Sequence, residues 1–241
     1  MGQMTPEEIE RVAAAAWPAQ EAEDRAGWLL RHTPGLSRAR SNAALPLVTH
    51  PDPTVVSAWY AARHAPARIQ VAPLERRGEL DSSLAEAGWE ERMRVDVLTA
   101  ATADVAVPAS PVAVLGSAVP RWLEAWARAE ERTDAAAHAR LVFSRIASDR
   151  AAYALAPGGG SVGLAVLGDL GACGLFCMAT HRDARRRGLA TAVLGGLAQW
   201  ARGAGATLLY LQVLAANAQA QALYTGAGFT RSHGYVHRAR P

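Results

Sequence analysis

Apolar positions in the second half of the chain follow two patterns, short runs typical of strands and the wider spacing typical of helices. Short apolar runs at about 150–156, 160–168 and 173–180 are typical of strands. Gly158 to Gly160 separate the first two runs and predict a hairpin turn. Residues 120–128 and 135–148 instead show helical spacing. This half of the chain is therefore predicted to be a mixed α/β domain that begins with two helices and an antiparallel hairpin.

The pattern continues with alternating strands and helices. Residues 182–191 join the strand at 173–180 to the start of a helix, and 207–213 form a further β-rich run. A short helix follows, and 232–238 are predicted to be the closing strand. Residues 101–119, rich in Pro, Ala and Val, are typical of a linker.

The strand-to-helix junction at 182–191 carries the most specific chemistry. Gly188 lets the backbone approach a ligand, and the first helical turn leaves N–H groups without internal acceptors. Arg185, Arg186 and Arg187 add positive charge, and Ala190 is small. These features predict a phosphate site. A solvated loop and a nucleic-acid patch are the alternatives that an arginine cluster leaves open.

A second pattern follows the strand at 207–213. Asn217 precedes a short helix that carries Leu223-Tyr224 and ends at Gly228-Phe229. Together with the spacing Arg185-x-x-Gly188-x-Ala190, this pattern resembles the GCN5-related N-acetyltransferase superfamily. The resemblance covers about residues 112–241. It implies the acyl-CoA N-acyltransferase fold, a mixed central sheet flanked by helices, with acetyl-CoA as the cofactor.

The resemblance also implies residue roles. In that superfamily the strand before the arginines separates from its neighbour, and its free backbone groups bind the pantetheine arm. The implied cofactor-binding residues are Met178, Ala179, Thr180, Arg185, Arg186, Arg187, Gly188, Leu189, Ala190, Thr191, Asn217 and Tyr224. Tyr224 and Asn217 are the implied catalytic residues. Tyr224 would protonate the leaving thiolate, and Asn217 would hydrogen-bond the pantetheine arm or a water near it. Packing is the alternative for Tyr224.

The base that deprotonates an amine acceptor is not evident. The strand at 173–180 has no carboxylate, and Gln212 stands where some relatives have a glutamate. Glutamine does not accept a proton at neutral pH. His181, His233, His237 or water remain candidates, and a polar surface strand is the alternative explanation for the last two histidines. A weakly basic acceptor amine is expected.

The first hundred residues echo the second half. The helix-like run 57–63 leading to 68–71 repeats the pattern of 198–202 leading to 210–213. We therefore predict two tandem copies, with a degenerate domain at 1–104, a linker at 105–119 and a catalytic domain at 120–241. In the first copy His50-Pro-Asp-Pro-Thr54 replaces the phosphate loop, and Ala85 stands where the second has Tyr224. That copy is expected to bind no coenzyme.

A polar run in the first copy is a candidate acceptor contact. Arg38, Arg40 and Asn42 alternate, so on a strand they share one face that suits a carboxylate or phosphate. Gln212 completes the predicted substrate-binding set. A solvated hairpin is the alternative.

Composition limits the partners. The net charge is +3, and every basic residue apart from histidine is an arginine. The arginines are spread along the chain, which disfavours nucleic acid. No apolar run spans a bilayer, the N-terminus lacks the pattern of a signal peptide, and two cysteines without clustered histidines disfavour zinc. We expect a cytoplasmic, metal-free monomer or homodimer that acetylates a small-molecule amine or α-amine. A non-catalytic acyl-CoA-binding regulatory module and a protein or peptide N-acetyltransferase are the alternatives.

Overall fold

The computed structural model describes residues 4–106 and 111–240. The helices and strands in chain order are α1 (Pro6–Ala16), β1 (Glu21–Arg25), β2 (Trp28–His32), β3 (Leu45–Pro46), α2 (Pro53–Ala61), β4 (Arg68–Val71), α3 (Gly78–Glu86), β5 (Glu90–Ala101), β6 (Ala113–Leu115), α4 (Pro120–Ala129), α5 (Ala135–Leu141), β7 (Ala151–Leu155), β8 (Ser161–Leu167), β9 (Ala172–Thr180), α6 (Leu189–Gly203), β10 (Leu208–Leu214), α7 (Ala218–Gly226) and β11 (Thr230–Ala239).

The chain folds into two compact units, each built from separate segments. The first comprises residues 4–97, 213–217 and 231–240, and the second comprises 98–106, 111–212 and 218–230. The late segments of the first unit thus lie inside the stretch that the sequence assigns to the catalytic domain. The domain limits 1–104, 105–119 and 120–241 stay a prediction.

The first unit holds two groups of paired strands. β1, β2 and β3 are antiparallel neighbours, and β11 lies between β4 and β5. Its helix α1 begins at a capping box in which Thr5 and Glu8 bond each other's backbone N–H groups. Large apolar side chains form its core, among them Trp28, Trp59 and Val236.

The second unit contains a mixed group of strands in the order β10-β9-β8-β7-β6. β9 and β10 are parallel, and the other neighbours are antiparallel. Helix α6 packs against β7, β8 and β9 through an apolar face that includes Val193 and Leu197. The predicted strands β7 to β10 and the helices α4, α6 and α7 are confirmed.

β9 and β10 stop pairing before β9 ends. Residue pairing of β9 with β10 runs from Ala172↔Leu208 to Leu175↔Leu211, whereas β9 pairs with β8 as far as Thr180. Cys177 has φ +51°, and the β8 register shifts opposite it, which marks a β-bulge. The separation that the resemblance implied is therefore present.

Two predicted element boundaries are corrected. Residues 113–115, inside the predicted linker, form β6 and pair with β7. The helix predicted over 135–148 ends at Leu141, because 3₁₀ turns follow at 143–145 and 148–150. Residues 107–110, also in the predicted linker, lie outside the described residues.

The polar run around Arg40 is not a strand. Residues 39–41 form a 3₁₀ turn, so Arg38, Arg40 and Asn42 do not share a strand face. The Asn42 side chain accepts from the Thr33 N–H at 2.9 Å and donates to the Leu36 carbonyl at 2.8 Å. These bonds stabilise the turn, because they satisfy backbone N–H and C=O groups that would otherwise need a neighbouring strand.

Candidate functional site

The junction between β9 and α6 is built to leave the start of the helix open. After β9 the chain makes a 3₁₀ turn over 182–184, and α6 begins after Gly188. Gly188 has φ +73°, which an L side chain adopts only with strain. No side chain among the described residues caps this end of α6. Its first-turn N–H groups are therefore available to an external acceptor.

Space around Gly188 is also open. A Cβ atom placed on this residue would meet no heavy atom within 4 Å. The backbone angle therefore favours glycine here, and the space beside the helix end is open. A larger side chain would project into the space that an anion at this helix end needs.

Three arginines directly precede the open helix end. Arg185, Arg186 and Arg187 are exposed, and none forms an ion pair within the described part of the chain. The Arg185 Nε lies 3.5 Å from the Thr180 carbonyl oxygen at the end of β9. Exposed guanidinium groups and helix N–H donors are both groups that bind phosphate in proteins.

A pocket of about 740 Å³ lies against this junction. Its walls come from the end of β9, the start of α6 and one side of α7. The lining residues are Thr180, Ala184, Arg185, Arg186, Gly188, Leu189, Ala190, Thr191, Ala218, Gln219, Ala222 and Leu223. The pocket therefore brings together seven of the predicted cofactor-binding residues. The other five, Met178, Ala179, Arg187, Asn217 and Tyr224, are not among its described lining residues.

The β7–β8 hairpin holds the end of β9 in place. The Ser161 hydroxyl donates to the Ala179 carbonyl at 3.1 Å and lies 2.9 Å from the Thr180 hydroxyl. A Cβ on Gly160 would come within 2.9 Å of Ala184 and Leu189. Sequence reasoning used this glycine only as a turn. Its close approach to the junction was not visible from spacing, and Ser161 was missed.

Tyr224 lies on α7 and is buried, with its ring in an edge contact with Phe229 at a centroid distance of 6.0 Å. Burial raises the pKa of Tyr224 to about 12. The phenol is therefore neutral at physiological pH, which is the state that a proton donor requires. Its roles as acid and cofactor contact stay predictions.

The other predicted residues lie on or near the two parallel strands of this region. Met178 and Ala179 are half-buried at the end of β9, and Gln212 is half-buried on β10. Asn217 is exposed directly before α7 and belongs to the first unit. These positions do not test the proton-donor role of Tyr224 or the contact of Gln212 with the acceptor. The acceptor contacts of Arg38 and Arg40 also stay predictions.

The three candidate histidine bases differ in environment. His181 is half-buried, and its Nδ1 accepts from the Asp183 N–H at 3.4 Å. His233 and His237 are both buried on β11, so the interpretation as a surface strand is wrong. Burial, together with the charges of Arg31, Arg40 and Arg68, lowers the pKa of His237 to about 3. This residue is a poor base, because its protonated form is strongly disfavoured.

The described residues contain neither a metal-binding cluster nor a membrane-spanning helix. No group of three or more His, Cys, Asp or Glu side chains is placed to hold a metal ion. No described helix is long and apolar enough to cross a membrane. Cys173 and Cys177 are both buried, and neither forms a disulfide within the described residues.

Solved structures with the same fold extend over nearly the whole chain. A GCN5-related N-acetyltransferase from Kribbella flavida matches with a TM-score of 0.75 and 19% identity, covering 99% of this chain and 97% of that one. A functionally unknown conserved protein from Staphylococcus epidermidis matches with a TM-score of 0.64 and 9% identity, covering 93% and 94%.

A third similar structure is a tandem GNAT protein from the clavulanic acid biosynthesis pathway, without AcCoA. Its TM-score is 0.62 at 12% identity, and the match covers 97% of this chain and 87% of that one. At these identities the likeness establishes the acetyltransferase fold. A comparison with curated proteins found no match.

One family model covers most of the sequence. It is described as "Probable histone acetyltransferase Rv0428c C-terminal" and matches residues 7–238. The match includes the loop at 185–190, the helix that carries Tyr224 and the greater part of the first unit. The chain therefore belongs to the family that carries this description, "Probable histone acetyltransferase Rv0428c C-terminal".

Proposed function

We propose that this chain is an acetyl-CoA-dependent N-acetyltransferase that acetylates an amine. The observation that carries the proposal is the open N-terminus of α6, which lies in a pocket of about 740 Å³ beside unpaired arginines. The diphosphate of coenzyme A is an anion of the kind that such a helix end binds. Membership of an acetyltransferase family supports the same cofactor.

The residues of the junction fit coenzyme A in two ways. Gly188 leaves open space beside the α6 N–H donors, which suits a diphosphate. The backbone of Met178, Ala179 and Thr180 lies beyond the point where β9 and β10 stop pairing, so it is available to the amides of a pantetheine arm. When bound, the cofactor supplies an acetyl group activated as a thioester.

Tyr224 is the proposed proton donor to the thiolate that leaves. A thiol has an ordinary pKa of about 8.5, so expulsion as the free thiolate benefits from an acid. The buried phenol, with its pKa raised to about 12, keeps its proton until it is needed. Asn217 is proposed to hydrogen-bond the pantetheine arm or a water beside it.

The acceptor is proposed to be an amine of low pKa. The described strands β9 and β10 carry no carboxylate. Neutralising a lysine-like amine at pH 7 costs about 4.6 kcal/mol, whereas an α-amine of pKa near 8 costs about 1.4 kcal/mol. The low pKa of His237 removes one candidate base. His181, His233 or water would then be a sufficient base to deprotonate a weakly basic amine.

The first unit is proposed to be a degenerate copy without a coenzyme site. The start of its helix α2 is occupied by the chain's own Asp52, whose carboxylate accepts from the Thr54 N–H at 2.9 Å. The whole-length likeness to a tandem GNAT protein supports two related copies. In that arrangement only the second unit binds the cofactor.

A protein amine is the second candidate acceptor. The description of the family as a histone acetyltransferase favours it. The experiment is an assay of thiol release from acetyl-CoA against small α-amines, other small amines of low pKa and a histone-tail peptide. Turnover on small amines supports the first candidate, and preference for the peptide lysines supports the second. Tight binding of acetyl-CoA without turnover on any acceptor would leave the non-catalytic binding module.

A further inference from the structure

A chain of hydrogen bonds connects an exposed serine to the buried interior of the first unit. The Ser232 Oγ lies 3.1 Å from the His233 Nδ1, and the His233 Nε2 lies 2.9 Å from the Glu10 Oε1. The other Glu10 oxygen accepts from the Gln70 Nε2 at 2.6 Å. The Arg31 guanidinium donates to the Gln70 Oε1 at 2.9 Å. Hydroxyl, imidazole and carboxylate thus stand in series.

Burial fixes the orientation of this series. Glu10 and His233 are each 2% exposed, while Ser232 is exposed. A carboxylate oxygen accepts hydrogen bonds, so the Nε2 atom is the donor to Glu10 and carries a proton. In the tautomer with its single proton on Nε2, the ring has its lone pair on Nδ1, which faces the Ser232 hydroxyl. Gln70 and Arg31 in turn hold the carboxylate, so the imidazole cannot turn away without breaking a buried bond.

This arrangement meets the geometric requirements of an activated nucleophile. A hydroxyl becomes nucleophilic when a base takes its proton and a third group orients that base and stabilises its charged form. Such groups are recognised by their mutual geometry rather than by their order in the chain. Here the nucleophile is exposed and the orienting carboxylate is buried.

We infer that Ser232 is an acyl-accepting nucleophile, activated by His233 and Glu10, that reacts with activated esters and thioesters. The Ser232 Oγ forms a bond to the acyl carbon as its proton passes to the His233 Nδ1. The bond to the leaving phenolate or thiolate breaks, and that group takes the proton from Nδ1. Water then bonds to the acyl carbon as it gives a proton to the same imidazole. The bond from that carbon to the Ser232 Oγ breaks, Oγ takes the proton back from Nδ1, and the acyl group leaves as a carboxylic acid.

The neighbouring backbone determines how far the reaction proceeds. The Gly234 N–H is bound to both Glu75 oxygens at 3.0 and 3.1 Å, so it does not stabilise an oxyanion at Ser232. We therefore expect release of the acyl group to be slow. The acyl-Ser232 ester should accumulate, and only acyl groups with good leaving groups should react.

The test is acylation of the full chain by p-nitrophenyl acetate, without coenzyme A or an amine. Release of p-nitrophenol is followed optically, and the acetylated residue is located by mass spectrometry of peptides. We expect a burst of about one p-nitrophenol per chain with the acetyl group on Ser232. Ser232→Ala should abolish the burst and lower the rate of p-nitrophenol release by about 100-fold, because it removes the nucleophile on which the base acts.

Matched variants separate activation from general reactivity. Ser82→Ala removes an exposed serine on α3 of the same unit and should leave the burst unchanged. Glu10→Gln keeps a hydrogen-bond acceptor for the imidazole but removes its charge, and should slow the burst by about tenfold or more. Thermal unfolding of each variant reports whether the fold is intact; Ser232→Ala, at an exposed position, provides the decisive comparison.

The outcomes are distinct from those of the proposed function. A burst that survives in Ser232→Ala, an acetyl group on other residues, or a rate equal to that of free serine would overturn the inference. Gly188→Asp, which alters only the proposed coenzyme site of the second unit, should leave Ser232 acylation unchanged. The two proposals can therefore fail independently.

Discussion

The first turns of α2 and α6 both contain backbone N–H groups without acceptors inside the helix, but only α2 caps these groups with a side chain. At α2 the Asp52 carboxylate accepts from the Thr54 N–H, and the Thr54 hydroxyl adds a bond at 2.6 Å. At α6 the corresponding position is Gly188, which has no side chain to offer. One helix end is satisfied by the chain itself, and the other is left open.

The charges at the two helix starts also differ: the start of α2 carries a negative charge, and positive charges precede the start of α6. The hydrogen bonds from the Thr54 side chain and backbone lower the pKa of the Asp52 carboxyl, so a negative charge already occupies the start of α2. Three exposed arginines precede the start of α6. Identical helix physics therefore gives a structural cap in one unit and a candidate ligand site in the other.

Replacing Tyr224 with Phe should have the largest effect on turnover. The change removes one hydroxyl, and the expected loss in kcat is about 10²–10⁴-fold if that hydroxyl is the acid. Affinity for coenzyme A should stay within about twofold, because the acid acts on the leaving group. Steady-state kinetics and calorimetry measure the two quantities. Unchanged kcat on a good acceptor would assign Tyr224 to packing.

Gly188→Asp should convert the open helix end into one that resembles α2. We expect affinity for coenzyme A to fall at least about 100-fold, since a carboxylate would compete for N–H donors whose charged hydrogen bonds contribute about 3 kcal/mol. Gly205→Asp is the matched control. Gly205 also has a positive φ, +84°, and open space around it, but lies past the opposite end of α6. Equal affinity of the two variants would contradict the assignment.

The arginines should contribute smaller and salt-dependent increments. Arg185→Ala and Arg186→Ala should each weaken coenzyme A binding by about 5–20-fold at low salt, and the loss should shrink as salt screens the charges. Arg182→Ala serves as the control, because Arg182 already has Asp183 at 3.7 Å and does not line the pocket. A similar loss in all three variants would indicate a diffuse charge effect rather than a defined site.

Asp52→Ala should have the smallest effect. The loss of the α2 cap should lower the midpoint of thermal unfolding slightly at neutral pH. This difference from the unmodified chain should vanish as pH falls through the lowered pKa of Asp52, because protonation removes the charged cap there as well. The variant should still bind one coenzyme A per chain, and a second site in it would show that Asp52 alone closes the first unit.

Local patterns predicted the second unit well because its signals are short-range. The strands β7 to β10 and the helix α6 follow from apolar runs and from glycines at turns. Gly188 and its arginines follow from the strand-to-helix junction. The polar run at Arg38–Asn42 was misassigned, because alternate spacing carries no information about the bonds from Asn42 to the loop backbone.

Long-range polar contacts were outside the reach of the sequence. Glu10 bonds residues 60 and 223 positions away, and no spacing rule connects them. One local signal was available. Glu10 lies three and four residues before Ala13 and Ala14, which are buried on α1, so a carboxylate stood on an otherwise apolar helix face. A buried acid of this kind requires a partner elsewhere in the chain.

Amide hydrogen exchange with and without coenzyme A tests the comparison of the two helix ends most directly. On binding, the N–H groups of Leu189, Ala190 and Thr191 should gain protection, because they donate to the diphosphate. The N–H groups of Thr54 and Val55 at the start of α2 should be unchanged. Protection at α2, or binding that leaves the first turn of α6 unprotected, would contradict the assignment of the coenzyme site.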